Sequence, residues 1–187
     1  MQVEGLDRVF FADSDVPLLT RVGPELLGPG CDSMVSMQNS SAKMQWGARY
    51  WSVWAGTAVL TREVLADFLP FAHALFAPPY LRVLKAKAKA RPFVCDMTLW
   101  YLFVVRTDAA RAAAWGYRAG RYALPPVRRG LHFCDSVEAG FVHSGGFEVI
   151  EGRNGSKSAV KPVEWAKSLH FQGKFRKTFL RMMKPEN

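Results

Sequence analysis

Apolar and polar positions follow two spacings along this chain, one typical of strands and one typical of helices. Short apolar runs rich in β-branched and aromatic residues, bounded by Gly, Pro or Asp, predict strands. These runs are Val9–Phe11, Met34–Met37 and Trp51–Leu60. Apolar residues that recur every three or four positions after Thr61 and after Asp96 predict amphipathic helices. We therefore expect an α/β protein in which residues 1–187 form a single domain, with a mixed sheet and flanking helices.

The predicted helices have recognisable ends. Thr61 is a favourable N-cap, and the apolar spacing that follows it reaches Leu69. Pro70 is expected to kink this helix or to begin a second short one that ends at Phe76. Asp96 is expected to cap the next helix, Met97–Val105.

Two further segments have distinct patterns. Lysine and alanine alternate from Lys85 to Ala90, which predicts an exposed helix end or a mobile loop. Residues Phe141–Val160 predict a hairpin, with a strand at Phe147–Ile150, a turn at Asn154-Gly155 and a returning strand.

The first strand leads into a pair of carboxylates. The run Val9–Phe11 is typical of a strand covered on both faces, and Asp13 and Asp15 follow it at the sheet edge where ligands bind in open α/β sheets. Carboxylates so close repel each other unless a cation or hydrogen-bond donors stabilise them, and a hard divalent metal that also contacts phosphate fits the pair. The alternative is an ordinary turn with Asx hydrogen bonds, stopped by Pro17.

A second candidate site lies near the end of the chain. His170 is followed by Gly173 and by three cations, Lys174, Arg176 and Lys177. A neutral imidazole binds a borderline metal ion, a glycine permits close approach of a ligand, and the cations neutralise phosphate. The alternatives are a packed or surface histidine and a solvated basic face.

The composition narrows the range of partners that the protein is expected to bind. The formal net charge is +9, and basic residues concentrate in 82–91 and 167–184, which favours nucleotide phosphates, nucleic acid or an anionic membrane surface. A solvated surface is the alternative for either cluster. No apolar run approaches the length of a membrane span. The three cysteines are far apart and lack a CxxC spacing, so we expect no disulfide framework and a reducing compartment.

Together these motifs resemble a known family. Asp13-Ser14-Asp15 after an apolar strand resembles the DxD motif of A-type-fold glycosyltransferases, and Leu169–Gly173 resembles the His-Phe-x-Gly motif of their glycogenin-like, retaining branch. Trp54–Thr57 lies where that branch has a central strand of small residues. Asp96–Thr98 lies where an Asp heads a helix beside the sugar site. The order and spacing agree over most of the chain.

The resemblance implies a site and a reaction. Asp13, Asp15 and His170 would hold Mn²⁺ or Mg²⁺ against the diphosphate of a nucleotide-sugar, with Asp13 also near the ribose. Gly173 and one of the nearby cations would contact the diphosphate, and Gly56 would let the donor approach the backbone closely. Asp96 would orient the donor sugar or the acceptor hydroxyl. The implied activity is transfer of a sugar to an acceptor that the sequence does not identify.

The chain departs from the family pattern in two respects. Where the branch usually has Lys three residues after the motif glycine, this chain has Arg176, so the residue that meets phosphate is open among Lys174, Arg176 and Lys177. The base-binding region of the family precedes the DxD motif, and only eight residues precede Val9. We therefore expect the sequence to be the C-terminal portion of an A-type glycosyltransferase fold.

Two other functions stay open. One is a basic binding module without catalysis, for nucleic acid or an acidic surface, in which the aromatic residues of Trp46–Trp54 stack bases. Nucleic acid is the less favoured partner, because Asp13 and Asp15 repel phosphate unless a metal intervenes. The other is an inactive glycosyltransferase remnant that keeps the scaffold without turnover.

Overall fold

The computed structural model describes residues 6–12, 16, 18–19, 21–23, 27–37, 53–90, 94–114, 122–127, 130–136, 138–139, 141, 147–151, 157–162, 164 and 166–168. Strands and helices are both present, which confirms the predicted α/β class. In chain order the elements are β1 (Arg8–Ala12), β2 (Ser33–Met37), β3 (Val53–Thr61), α1 (Arg62–Ala74), α2 (Leu81–Ala90), α3 (Asp96–Thr107), α4 (Ala109–Ala114), β4 (Phe133–Asp135), β5 (Phe147–Glu151) and β6 (Lys157–Pro162).

Four strands form an open mixed sheet in the order β1-β3-β2-β4. Strand β3 is antiparallel to β1 and to β2, whereas β2 and β4 are parallel. Strands β1, β2 and β4 therefore run in one direction, and their last residues share one edge of the sheet. We call the end of the sheet at which these three strands finish the carboxyl edge, and Ala12, Met37 and Asp135 lie there.

Strands β5 and β6 pair as a separate antiparallel hairpin, which confirms the prediction for 141–160. The predicted turn at 154–155 lies outside the described residues.

The main core lies on the face of the sheet that α1 and α3 cover. Phe103 of α3 is at its centre, fully buried, with its ring edge-on to four other aromatic rings at centroid distances of 5.3 to 6.1 Å. These rings belong to Phe68, Phe71, Trp100 and Phe133. Edge-to-face packing of this kind adds to the stability that burial alone gives, and it fixes α1 and α3 on the sheet.

A smaller core lies on the opposite face of the sheet. Met34, Val59 and Phe141 are buried there, and Phe10 packs against them with its ring centroid 5.8 Å from that of Phe141. We call this the Phe141 face. It includes the side of β1 that carries Phe10, and Lys167 lies against Phe141 there.

Strand β1 does not have the environment that its sequence predicted. The expected strand is present, but Val9 is 41% and Phe11 46% exposed. The prediction that both faces are covered is therefore wrong. Among the described strands β1 is the outermost, and β3 is its one partner. Helices α1 and α3 both pack on β3.

Helix α1 confirms its predicted start and corrects its predicted end. The Thr61 side chain accepts a hydrogen bond from Val64 N at 3.3 Å, as expected of an N-cap. The helix continues through Pro70 to Ala74 as one element. Of the two predicted alternatives, a kink or a second short helix, the second helix is therefore wrong. Leu69 is 62% exposed, because the buried side of the helix is set by Val64, Phe68 and Phe71.

The Lys-Ala segment is the end of helix α2, one of the two predicted states. It is not wholly exposed. Lys87 is buried to 3% exposure, since it lies on the same side of the helix as the buried Val83 and Leu84. Arg82, Lys85 and Lys89 face solvent instead.

Helix α3 begins one residue earlier than predicted. Cys95 occupies the N-cap position without a side-chain cap bond, and Asp96 is the first helical residue. The prediction that Asp96 caps the helix is therefore wrong. Its carboxylate still lies in the first turn, where the helix dipole favours negative charge.

The cysteines also differ from the prediction that no disulfide forms. Cys31 and Cys134 form a disulfide across 103 residues, whereas Cys95 is free. Cys31 lies just before β2, and Cys134 lies in β4. Because β4 pairs with β2 in parallel, the two cysteines come close together. Their sequence spacing gave no sign of this pairing because it depends on the strand order.

No helix within the described ranges combines the length and the apolar character needed to cross a membrane.

Candidate functional site

Strand β1 ends next to Gly56, directly before the first motif in the sequence. The last residue pair between β1 and β3 is Ala12 with Thr57. The next residue along β3 toward the carboxyl edge is Gly56, and the next residue after Ala12 is Asp13. The predicted close-approach glycine therefore lies where the chain leads into the carboxylates. Asp13 and Asp15 themselves lie outside the described residues.

The structure brings the flanks of the two sequence motifs together. Leu18 and Ser168 form an isolated antiparallel bridge, and Leu19 N donates a hydrogen bond to Lys167 O at 2.8 Å. Leu18 follows Asp15 by three residues, and Ser168 precedes His170 by two. Residues 150 positions apart in the chain thus become neighbours, which sequence spacing alone did not show.

The paired segments are anchored on the Phe141 face. Ser168 is fully buried, and Val16 is 4% exposed. The ammonium group of Lys167 lies 5.9 Å from the centre of the Phe141 ring, within range of a cation–π contact. Phe141 N in turn donates to Ser136 O at 2.8 Å, just beyond the end of β4. Residues 166–168 are therefore held near the carboxyl edge.

Three buried hydroxyls at this edge were not identified from the sequence. The side-chain oxygens of Ser36, Thr57 and Ser136 are buried and have no hydrogen-bond partner among the residues that the structure describes. Ser36 is the second-last residue of β2, Thr57 pairs with the last residue of β1, and Ser136 directly follows β4. Leaving a buried hydroxyl unpaired costs about 1–3 kcal/mol, so this part of the edge favours a polar ligand or water.

In the sequence, two of these hydroxyls belong to small polar residues that interrupt apolar runs. Ser36 interrupts Met34-Val35-Ser36-Met37, and Thr57 interrupts the apolar residues of β3. Such residues occur in many ordinary strands. Their position at one edge becomes apparent only from the strand order.

Asp96 lies in the first turn of α3. The other end of α3 is held at the beginning of β4, where Asp108 Oδ2 accepts a hydrogen bond from Phe133 N at 3.2 Å. Helix α3 packs on β3 and has twelve residues, a length of about 18 Å. Its first turn, with the exposed carboxylate of Asp96, therefore lies toward the carboxyl edge.

The remaining predicted site residues lie outside the described part of the chain. They are His170, Gly173, Lys174, Arg176 and Lys177. Among the residues that are described, no group of three or more His, Cys, Asp or Glu side chains is arranged to hold a metal ion. The three predicted metal ligands, Asp13, Asp15 and His170, are not among the residues so described.

Comparisons with protein-family models, with curated proteins and with solved structures give no match to this chain.

Proposed function

We propose that this protein transfers a sugar from a nucleotide-sugar donor to an acceptor in a metal-dependent reaction. The observation that carries the proposal is the pairing of Leu18 with Ser168. At about 3.8 Å per residue, Asp15 Cα is within about 11 Å of Leu18 Cα, and His170 Cα is within about 8 Å of Ser168 Cα. A metal site shared by the two motifs needs this proximity, and a simple turn at Asp13–Asp15 does not.

The proposed ligands have suitable chemistry. Carboxylates and a neutral imidazole suit Mn²⁺, and the carboxylates suit Mg²⁺. Asp13, Asp15 and His170 would hold the ion, which supplies Lewis-acid stabilisation of the charge on the departing nucleoside diphosphate. The unpaired hydroxyls of Ser36, Thr57 and Ser136 support a polar occupant at the same edge.

The other residues have positioning and charge roles in this proposal. Gly56 and Gly173 let the donor approach the backbone closely. One or more of Lys174, Arg176 and Lys177 neutralises the diphosphate. Asp96 orients the donor sugar or the acceptor hydroxyl from the first turn of α3.

The test is calorimetry with Mn²⁺ and a panel of uridine and guanosine diphosphate sugars. We expect at least one donor to bind in the presence of Mn²⁺. Asp15→Asn should weaken this binding at least about tenfold, since the ion then has one negatively charged ligand fewer. Asp7→Asn is the matched control, because Asp7 lies at the other end of β1 with a side chain that is 91% exposed. The proposal fails if no donor binds, or if both variants bind alike.

A basic binding module is the second candidate, and helix α2 favours it. Arg82, Lys85 and Lys89 are exposed at positions that share one side of the helix, which is suited to phosphate groups. Binding of a generic single strand through this side would weaken steeply with salt and with joint replacement of the three residues by Ala. Salt-insensitive binding excludes this candidate.

Measuring turnover distinguishes an inactive remnant from an active enzyme. It would bind a donor in the calorimetric test and release no nucleoside diphosphate with any acceptor, whereas the active enzyme releases it.

A further inference from the structure

The end of α1 and its connection to α2 expose an apolar surface. Leu69 is the most exposed large apolar side chain among the described residues, and Phe76 follows it at 57% exposure. The two residues are seven positions apart, about two helical turns, so they lie near one flank of α1. Ala77, Pro78 and Pro79 come directly after Phe76 and are exposed as well. We call Leu69 and residues 76–79 the apolar corner.

The apolar corner lies between anchored residues. Phe76 N donates a hydrogen bond to His73 O at 3.2 Å, so the chain keeps turning after α1 ends. Leu75 is fully buried, and Tyr80 and Leu81 pack against the main core. The residues between these anchors are therefore exposed although the chain around them is folded.

Exposed cations follow the apolar corner directly. Arg82, Lys85 and Lys89 face solvent on the side of α2 away from the core. The sequence contains no Asp or Glu between Asp67 and Asp96, whereas the same stretch contains five basic residues: Arg82, Lys85, Lys87, Lys89 and Arg91. A surface of this charge attracts an anionic partner.

The apolar residues distinguish among the anionic partners. Nucleic acid offers phosphates to the cations and stacks its bases on aromatic rings, but it gives no role to Leu69 or to the prolines. A lipid bilayer uses both kinds of residue, since apolar side chains enter its interface while lysine and arginine bind anionic headgroups. We propose that the apolar corner and the exposed cations of α2 bind the surface of an anionic lipid bilayer.

The test is sedimentation of the full chain with lipid vesicles at neutral pH and physiological salt. Vesicles of an equal mixture of phosphatidylcholine and phosphatidylserine are compared with vesicles of phosphatidylcholine alone. Three cations near an anionic surface and two apolar side chains in its interface predict a molar partition coefficient on the order of 10⁴ M⁻¹. We expect binding to the neutral vesicles to be at least about tenfold weaker, because the cations then have no anionic headgroups.

Two variants separate the apolar contribution from the charged one. Phe76→Ser should weaken binding to the anionic vesicles about tenfold, because no apolar ring then enters the interface. Joint replacement of Arg82, Lys85 and Lys89 by Ala should weaken it about a hundredfold, since each cation near the surface contributes about fivefold. Phe11→Ser is the matched control and should leave binding unchanged, because Phe11 is similarly exposed but lies on β1.

A dye at the apolar corner locates the contact. A polarity-sensitive fluorophore is attached to Phe76→Cys in the Cys95→Ser background, with the Cys31–Cys134 disulfide kept oxidised. Its emission should shift to the blue when anionic vesicles are added. The same fluorophore on Phe11→Cys should show no shift.

The proposal is overturned if the chain binds no vesicle, whether or not it binds a single-stranded oligonucleotide through α2. Equal binding to neutral and anionic vesicles also overturns it, as does a Phe76→Ser variant that binds like the wild type or a Phe11→Ser variant that is weakened as much. None of the residues of this surface belongs to the candidate glycosyltransferase site, so either proposal can fail alone.

Discussion

Asp108 connects three elements through one buried carboxylate. Its Oδ1 accepts a hydrogen bond from Arg111 N at 3.0 Å at the start of α4, and its Oδ2 accepts from Phe133 N at the start of β4. His132 Nδ1 lies 3.7 Å from the same Oδ2 atom. Arg111 Nε donates to Phe133 O at 3.1 Å and strengthens the same junction. The residue is 8% exposed, so water replaces little of this network.

We expect Asp108→Ala to lower the free energy of unfolding by about 2–3 kcal/mol, because it leaves buried N–H groups without an acceptor. Asp108→Asn should cost less, since it keeps one oxygen acceptor. Urea denaturation measures both. Asp7→Ala is the control and should change stability by less than about 0.5 kcal/mol, as expected for an exposed ion pair. Equal effects of the Asp108 and Asp7 variants would contradict this role.

At the scale of single residues, the sequence predicted what depends on near neighbours. Thr61 caps α1 because the capping bond joins residues three apart. The unpaired hydroxyls of Ser36 and Thr57 depend on which strands lie beside them, and the buried state of Lys87 depends on what covers α2. Such contacts join residues far apart in the chain, so no local pattern predicts them.

At the scale of elements, β1 is an exposed edge strand of the sheet. Its apolar residues Val9 and Phe11 are nearly half exposed, and its outer backbone side has no partner strand among the described residues. Edge strands of this kind favour pairing with other chains. Its sequence is that of a central strand, whereas its position in this sheet is peripheral.

We expect Phe11→Lys to change the free energy of unfolding by less than about 1.5 kcal/mol and to reduce self-association, because a lysine on an edge strand opposes pairing. Urea denaturation and sedimentation at increasing concentration measure the two effects. Phe103→Ala is the contrasting variant, and it should cost about 3–5 kcal/mol because that ring is fully buried. A similar loss for Phe11→Lys would show that β1 is covered after all.

The kinds of elements were more predictable than their arrangement. Runs of apolar residues located β1, β2 and β3, and helical spacing located α1 and α3. The order β1-β3-β2-β4 could not be predicted, because the pattern along a strand does not specify its neighbour. That order also decides which predicted site residues share an edge.

At the scale of the whole molecule, the Cys31–Cys134 disulfide closes a loop of about 100 residues. A disulfide across a loop of this length stabilises by up to about 5 kcal/mol, mainly by constraining the unfolded chain. We expect reduction, or joint replacement of both cysteines by Ser, to lower the urea midpoint markedly. Cys95→Ser is the control and should not change the effect of the reductant. An unchanged midpoint under reduction would show that the pair does not form in solution.

The same disulfide divides the chain into a covalent ring and two tails. The ring contains β2, β3 and all four described helices, whereas β1 and the DxD residues lie on the first tail and Ser168 and His170 on the second. A backbone cut between Cys31 and Cys134 leaves one covalent molecule until the bond is reduced. A cut near Gly23 or Phe141 instead breaks the covalent link to a tail that carries half of the candidate site. Non-covalent contacts then hold that tail, among them the Leu18–Ser168 bridge and the pairing of β1.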